Sequence, residues 1–193
     1  MTDLDFDLDF DFDFEIEEKN DIKALKKRIK FDIDSSSEKI KRTVLPSEAE
    51  SIRLVSPAGG FSSCSVVLAI AKRTKIKSIR ISTLRVGKKE ALALETLEIP
   101  SVQIVCGGIA LENAEKYDYA KFLAEIAERN KWIISYKRNH SKVILLDTDC
   151  GKIVIETSSN FNENPQIEQF CITNDGEVFD WYLEQMRKNG VFQ

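Results

Sequence analysis

The chain has 193 residues, 42% of them apolar, which suits the core of one ordinary domain and excludes a fully disordered protein. No apolar run approaches the ~18 residues that a membrane-spanning helix needs, and the N-terminus lacks a basic region followed by an apolar segment. We therefore expect no membrane partner and a cytoplasmic location. The four cysteines are too far apart for the closely spaced ligand pairs of a zinc site, and only one histidine is present, so we expect no metal or cofactor.

Charge is distributed unevenly along the chain. Residues 3–18 contain nine acidic residues and no basic one, although the whole chain carries a net charge of only −4. The rest of the chain contains 28 basic residues and 23 acidic residues. A mildly basic body of this kind suits a polyanionic partner such as nucleic acid.

The first segment, residues 1–19, forms an acidic arm in which acids alternate with Leu, Phe or Ile from residue 3 to 16. Period-two alternation is typical of a strand, but Asp is a poor strand former. Three interpretations stay open. The arm of residues 3–18 is disordered until it meets a protein partner, or it is an edge strand that pairs with a partner or another copy. Alternatively, it is a substrate mimic that contacts the basic body of its own chain.

The second segment, residues 20–48, is predicted to be a basic, helical linker. Ile22, Leu25 and Ile29 recur at helical spacing among lysines and arginines, and a run of Asp and Ser ends the pattern. Its basic side chains are expected to face solvent, with phosphate contact as the alternative.

The remaining residues, 49–193, are predicted to form one α/β domain, because strand and helix patterns alternate along them. Strands are predicted at 51–56, 76–83, 101–105, 132–136, 142–146, 152–155 and 167–173. Helices are predicted at 61–73, 87–97, 110–130 and 177–189, with Leu111, Ala114, Phe122 and Ile126 on one side of the third. Residues 148–151 (TDCG) give a hairpin signal between the fifth and sixth strands.

The chemistry is concentrated in residues 139–168. His140 and Lys142 are two apart on a predicted strand, so their side chains should emerge on one face. A neutral imidazole there can attack a phosphorus atom whose charge the ammonium helps to neutralise. Ser158 and Asn160 offer hydrogen bonds to phosphate oxygens, and Glu168 could hold an imidazole in the useful tautomer.

These residues resemble the HKD motif of the phospholipase D superfamily, in which H-x-K-x-x-x-x-D is followed by G-S-x-N and then by a Glu. The resemblance implies a phospholipase D-like sandwich, with a mixed central sheet and helices on both faces, and no metal requirement. It implies roles for six residues: His140 forms a phosphohistidine, Lys142 binds the phosphate, Ser158 and Asn160 help to hold it, Glu168 orients His140, and Asp147 supports the strands.

The chain departs from this family pattern at two points. Thr157 stands where the family has glycine, which places a side chain where the backbone runs close to phosphate. The gap between Asp147 and Ser158 is three residues longer than the common pattern, and an extended hairpin would absorb the difference.

The mechanism implied by the resemblance needs two imidazoles, one to attack phosphorus and one to protonate the leaving oxygen. Small nucleases of the family carry one motif and pair across a two-fold axis. Because this chain has one histidine, we expect a homodimer in which two His140 side chains face each other.

The leading functional prediction is a nuclease. Lys137 and Arg138 immediately precede the motif and could contact a nucleic-acid backbone, or could simply be solvated. One alternative is a catalytically weak or inactive phospholipase D-like component that binds nucleic acid or protein. A phospholipase is a further alternative, which the lack of an apolar loop or membrane-surface helix disfavours.

Overall fold

The computed structural model describes residues 45–107, 118–163 and 165–193. The strands within these ranges are β1 (Glu50–Ser56), β2 (Ile76–Ser82), β3 (Ser101–Gly107), β4 (Ile133–Lys137), β5 (Val143–Thr148), β6 (Gly151–Thr157) and β7 (Glu168–Asn174). The helices are α1 (Ser63–Ala71), α2 (Lys88–Glu95), α3 (Asp118–Asn130) and α4 (Gly176–Lys188). None of these helices is long and apolar enough to cross a membrane.

All seven strands join one mixed sheet in the order β1-β7-β6-β5-β2-β3-β4. β2, β3 and β4 are parallel to one another, and every other neighbouring pair is antiparallel. Parallel neighbours need a crossover connection, and α2 and α3 lie in the two connections that join β2, β3 and β4. The predicted α/β class with a mixed sheet is confirmed.

The two faces of the sheet are covered unequally. On one face, alternate side chains such as Ile79, Ile81 and Ile144 form the main core with residues of α1, α2 and α3. On the other face, Val105, Leu145 and their neighbours pack against α4 in a smaller cluster. Alternation along each strand produces this division, because successive side chains point to opposite faces. Helices therefore cover both faces, as predicted.

Local sequence signals agree with the observed elements. The hairpin between β5 and β6 turns on Asp149 and Cys150, and Gly151 follows with φ of 133°, a conformation that favours glycine. In α3, Ile126 is fully buried and Phe122 packs against the main core. The predictions for residues 1–44 lie outside the described residues, as do Leu111 and Ala114.

Candidate active site at one edge of the sheet

The ends of four neighbouring strands, β2, β5, β6 and β7, lie together at one edge of the sheet. β5 begins and β6 ends at this edge, where the N–H of Thr157 donates to the carbonyl of Lys142 at 3.2 Å. β2 ends there because it is antiparallel to β5, and β7 begins there because it is antiparallel to β6. We call this the site edge. It carries the five residues predicted to be catalytic: His140, Lys142, Ser158, Asn160 and Glu168.

His140 and Lys142 contact each other at the site edge. The ammonium of Lys142 lies 3.2 Å from Nδ1 of His140 and donates to the His140 carbonyl at 2.8 Å. Burial lowers the pKa of Lys142, and the nearby Glu168 carboxylate opposes that shift. The same ammonium lies 3.5 Å from Nε2 of His140. Lys142 therefore places a positive charge directly beside the imidazole ring.

Neither residue lies in a strand, contrary to the sequence prediction, because β5 begins only at Val143. The preceding turn is held by Asn139, whose side-chain oxygen accepts from the N–H and the hydroxyl of Ser141, at 3.0 and 2.7 Å. The Asn139 amide also donates to the Ser82 hydroxyl at 2.8 Å and to the Thr83 carbonyl at 3.3 Å. Asn139 therefore fixes the turn around His140 by hydrogen bonds to Ser141 and to the end of β2. This role was not predicted from the sequence.

Ser158 and Glu168 form a second pair at the site edge. The Ser158 hydroxyl donates to the carboxylate of Glu168, and it accepts from the N–H of Gln169 at 3.1 Å. Glu168 is only 6% exposed, and its charge acts on Lys142. The carboxylate that sequence reasoning assigned to His140 is therefore hydrogen-bonded to Ser158, in the loop that follows β6.

Asn160 lies in the loop that follows β6. Its Oδ1 is buried without a hydrogen-bond partner in the structure. The next residue fixes the loop, because the N–H of Phe161 donates to the Thr83 hydroxyl and its carbonyl accepts from the N–H of Gly87, each at 3.0 Å. A buried polar atom without a partner is uncommon in native proteins and is a feature of sites that a ligand completes.

Thr157 occupies the position of the family glycine and uses its hydroxyl locally. Its Oγ1 accepts from the N–H of Ser159 at 2.9 Å, which shapes the turn after β6. Thr157, Lys142 and Thr83 are among the residues that line a narrow crevice with no room for a water molecule. A glycine at position 157 would remove a side chain from the wall of this crevice.

The N-terminus of α1 also faces this region. The Ser63 hydroxyl donates to the Ser159 carbonyl at 3.1 Å, and Ser62 caps the helix by accepting from the N–H of Ser65. The first turn contains no acidic residue. The positive end of a helix dipole favours a nearby anion, so α1 adds to the positive potential of the site edge. The sequence predicted this helix but not its orientation toward the motif.

A buried carboxylate supports the loop that carries Asn160. Glu90, in the first turn of α2, is 5% exposed, and burial raises its pKa to about 7. Its carboxylate lies so close to Gly87 that a Cβ there would stand 2.0 Å from Oε2, and it is hydrogen-bonded to the Glu163 backbone. Lys89 and Glu163 form an ion pair at 2.5 Å beside it. These contacts attach α2 to residues 161–163.

The other predicted residues lie around this centre. Asp147 is half-buried in β5, five residues after Lys142. Burial lowers the pKa of Arg80, and the Asp147 carboxylate opposes that shift. The Lys137 ammonium donates to the Gly190 carbonyl, whereas Arg138 is exposed. Among the described residues, no three His, Cys, Asp or Glu side chains are grouped as a metal site would require.

Two solved structures resemble the chain in fold. One is polyphosphate kinase from Porphyromonas gingivalis, with a TM-score of 0.56 and 17% identity over 75% of this chain. The other is phosphatidylserine synthase from Haemophilus influenzae Rd KW20, with a TM-score of 0.54 and 16% identity over 74% of this chain. Both proteins belong to the phospholipase D superfamily. The chain has the phospholipase D-like fold. The matched region spans 26% and 38% of those two proteins.

The fold that the HKD pattern predicted is therefore confirmed. No protein-family model and no curated protein sequence matches the chain. Within this phospholipase D-like fold, the H-x-K pair lies immediately before β5, and the S-x-N sequence lies immediately after β6. The motif residues thus come together at the ends of the adjacent antiparallel strands β5, β6 and β7, although they are up to 28 positions apart in sequence.

Proposed function

We propose that this phospholipase D-like protein is a metal-independent phosphodiesterase that cleaves nucleic acid through a phosphohistidine on His140. The observation that carries the proposal is the contact of 3.2 Å between the Lys142 ammonium and Nδ1 of His140 at the site edge. A cation held beside an imidazole suits attack on an anionic phosphodiester, because it offsets the negative charge that the nucleophile approaches.

The proposed reaction has two steps. An imidazole nitrogen of His140 attacks phosphorus, the new P–N bond forms, and the P–O bond to the leaving group breaks as that oxygen takes a proton from a second imidazole. Water then attacks phosphorus and gives its proton to the second imidazole, while the P–N bond breaks. The net change is hydrolysis of a phosphodiester to a phosphomonoester and an alcohol.

The second imidazole has to come from another chain, because His140 is the only histidine in the sequence. We propose that it is His140 of a second copy, in a two-fold symmetric dimer with one shared site. During the attack, Lys142 and the N-terminus of α1 would stabilise the phosphate oxygens. Ser158 and Asn160 would add hydrogen bonds to the phosphate, and Ser158 would keep the Glu168 carboxylate in place.

Nucleic acid is the proposed substrate class because the chain is basic once its acidic arm is set aside. Arg138 is exposed next to the site and would contact a phosphate of the backbone. Lys137 donates to the Gly190 carbonyl, so any phosphate contact by Lys137 would compete with that bond.

A second candidate function is a phospholipase D-like component that binds nucleic acid or protein without cleaving it. The crevice lined by Thr157 and Lys142 favours this alternative, since it has no room for a water molecule. A lipid phosphodiesterase is the third candidate, and no helix among the described residues is long and apolar enough to cross a membrane.

The test is cleavage of supercoiled plasmid and of single-stranded DNA in EDTA, by the wild type and by His140→Ala. Lys75→Ala is a matched control for Lys142→Ala, because Lys75 is an exposed lysine directly before β2 at the opposite edge of the sheet. Cleavage that persists in EDTA, disappears in H140A and K142A and survives in K75A would support the proposal. Cleavage that H140A retains would contradict it, and DNA binding without cleavage by any variant would favour the second candidate.

A further inference from the structure

Two loops of the site edge meet over the end of β3. The N–H of Gly107, the last residue of this strand, donates to the Leu84 carbonyl at 2.8 Å. A Cβ on Gly107 would stand 2.5 Å from Cδ1 of Leu84 and 2.9 Å from the carbonyl oxygen of Asn139. The loop after β2 and the loop after β4 therefore both lie against Gly107, where glycine permits the close approach.

Each of these two loops carries an arginine beside the contact. Arg85 follows Leu84, and Arg138 precedes Asn139, so the two arginines come close together although they are far apart in sequence. Both side chains are exposed, and neither guanidinium is paired with a carboxylate of another described residue. Two cations held near each other without an acidic partner create a positive potential that favours a bound anion.

The loop that carries Arg85 is fixed by hydrogen bonds to the candidate active site. The Thr83 hydroxyl donates to the Arg85 carbonyl at 3.2 Å and accepts from the N–H of Phe161, the residue after Asn160. The next residue, Val86, is buried and pairs with Phe161, so Arg85 is on the outer side of the loop. A side chain on a fixed backbone binds a ligand at a lower entropic cost than one on a mobile loop.

The arginines lie beside Lys142 along the site edge. The strand order β5-β2-β3 puts Lys142, which precedes β5, two strand spacings from Gly107, or ~10 Å. A helical nucleic-acid strand advances about 3.4 Å per nucleotide, so one strand could place a phosphate at each position about three nucleotides apart. In the other direction, toward β7, the site edge carries the Glu168 carboxylate, which repels phosphate.

We propose that Arg85 and Arg138 bind phosphates of the nucleic-acid strand whose scissile phosphate lies at His140. The strand would leave the site across Gly107, in the direction of β4. The inference rests on the proposed function, because it takes nucleic acid as the substrate class. Arginine suits this role, since its planar guanidinium stays charged and presents parallel N–H donors to phosphate oxygens.

The test measures nucleic-acid affinity apart from cleavage. The parent protein is His140→Ala, so that the mechanism as proposed does not consume the DNA. Arg85→Ala, Arg138→Ala and Arg73→Ala are each added to this parent. Arg73 is the matched control, because it is an exposed arginine beside Ile76, where β2 begins at the opposite edge of the sheet. Fluorescence anisotropy of a labelled single-stranded oligonucleotide gives the affinity over a series of salt concentrations.

The loss of one phosphate contact has a defined signature. R85A and R138A should each lower the slope of log affinity against log salt concentration by about one, and weaken binding by about 10-fold at 0.1 M salt. Arg85→Lys keeps the positive charge and should therefore keep the salt slope of the parent. R73A should match the parent in both quantities.

Two outcomes would overturn the inference. Equal salt slopes for R85A and R73A would show that Arg85 contacts no phosphate. A loss of affinity in R85A that R85K does not restore, with a lower melting temperature in both variants, would show that Arg85 supports the loop instead of the ligand.

The inference can fail separately from the proposed function, because affinity and cleavage are different measurements. His140-dependent cleavage by the wild type, with R85A and R138A bound as tightly as R73A, would contradict only the path of the strand. The expected losses of affinity, in a protein whose wild type does not cleave, would contradict only the hydrolysis.

Discussion

The ammonium of Lys142 lies against the imidazole of His140 and also donates to the carbonyl of the same residue, at 2.8 Å. One lysine therefore holds both the backbone and the ring of the candidate nucleophile. Its own pKa is lowered by burial, which the Glu168 carboxylate opposes. The turn that Asn139 holds places His140 and Lys142 immediately before β5, and the remaining site is built around this pair.

Lys142→Ala is expected to lower kcat by about 10²- to 10³-fold, the cost of removing one group that stabilises transition-state charge. Lys142→Arg should restore part of the activity, because the positive charge returns with a different geometry. The measurement is single-turnover cleavage of a short labelled oligonucleotide in EDTA. Equal rates for K142A and the Lys75→Ala control would refute the assigned role.

Asn139→Ala is expected to destabilise the protein by about 1–3 kcal/mol, because it leaves partners at Ser141 and Thr83 unpaired. It should also reduce cleavage by loosening the turn that carries His140. Urea denaturation and the cleavage assay measure the two effects. Asn189→Ala, which removes one exposed hydrogen bond to Gln185, should change neither quantity appreciably.

Glu90 should make stability depend on pH. Burial raises its pKa in the folded state from the ordinary 4.5 to about 7. A carboxyl group whose pKa is raised by folding contributes stability below the unfolded value, and that stability is lost as the pH rises toward 7. The melting temperature of Glu90→Gln minus that of the wild type should therefore be larger at pH 8 than at pH 4.5. The same comparison for exposed Glu98→Gln should show no such change, and a flat difference for E90Q would contradict the interpretation.

Thr157→Gly introduces the glycine of the HKD pattern and is expected to increase cleavage, because it removes a side chain from the crevice that Lys142 also lines. Stability should fall by about 1 kcal/mol, since the Ser159 N–H loses its acceptor in the Thr157 hydroxyl. Thr157→Ser keeps that hydroxyl and serves as the control for the hydrogen bond. Cleavage by T157G at or below the wild-type rate would mean that the threonine does not limit the reaction.

Much of the fold could be predicted from the sequence, because period-two strands alternate with helical segments between clear turn signals. The hairpin at Asp149 and Cys150 is an example, since a two-residue turn before Gly151 sets the register of β5 and β6. The start of β5 was predicted at Lys142, whereas the strand begins at Val143, because the Asn139 side chain holds residues 139–141 in a turn.

Only contacts between residues that are close together in the sequence could be predicted for the site. His140 and Lys142 are neighbours in sequence, so their contact follows from the chain geometry. The support of the site depends on contacts between distant segments, such as Asn139 with Ser82 and Ser63 with Ser159. Burial of Glu90 likewise follows from the packing of α2 against residues 161–163, which no single stretch of sequence encodes.

The central claim is that His140 becomes covalently bonded to phosphorus during the reaction. The most direct test incubates the full chain with DNA carrying a ³²P-labelled phosphodiester in EDTA, followed by rapid denaturation in alkali and peptide mapping. The proposal predicts a labelled peptide that contains His140, with a bond that is stable to alkali and labile to acid, as a phosphoramidate is. The label should be absent from His140→Ala and reduced in Lys142→Ala. DNA cleavage by the wild type without any adduct on His140, at reaction times that include the first turnover, would contradict it.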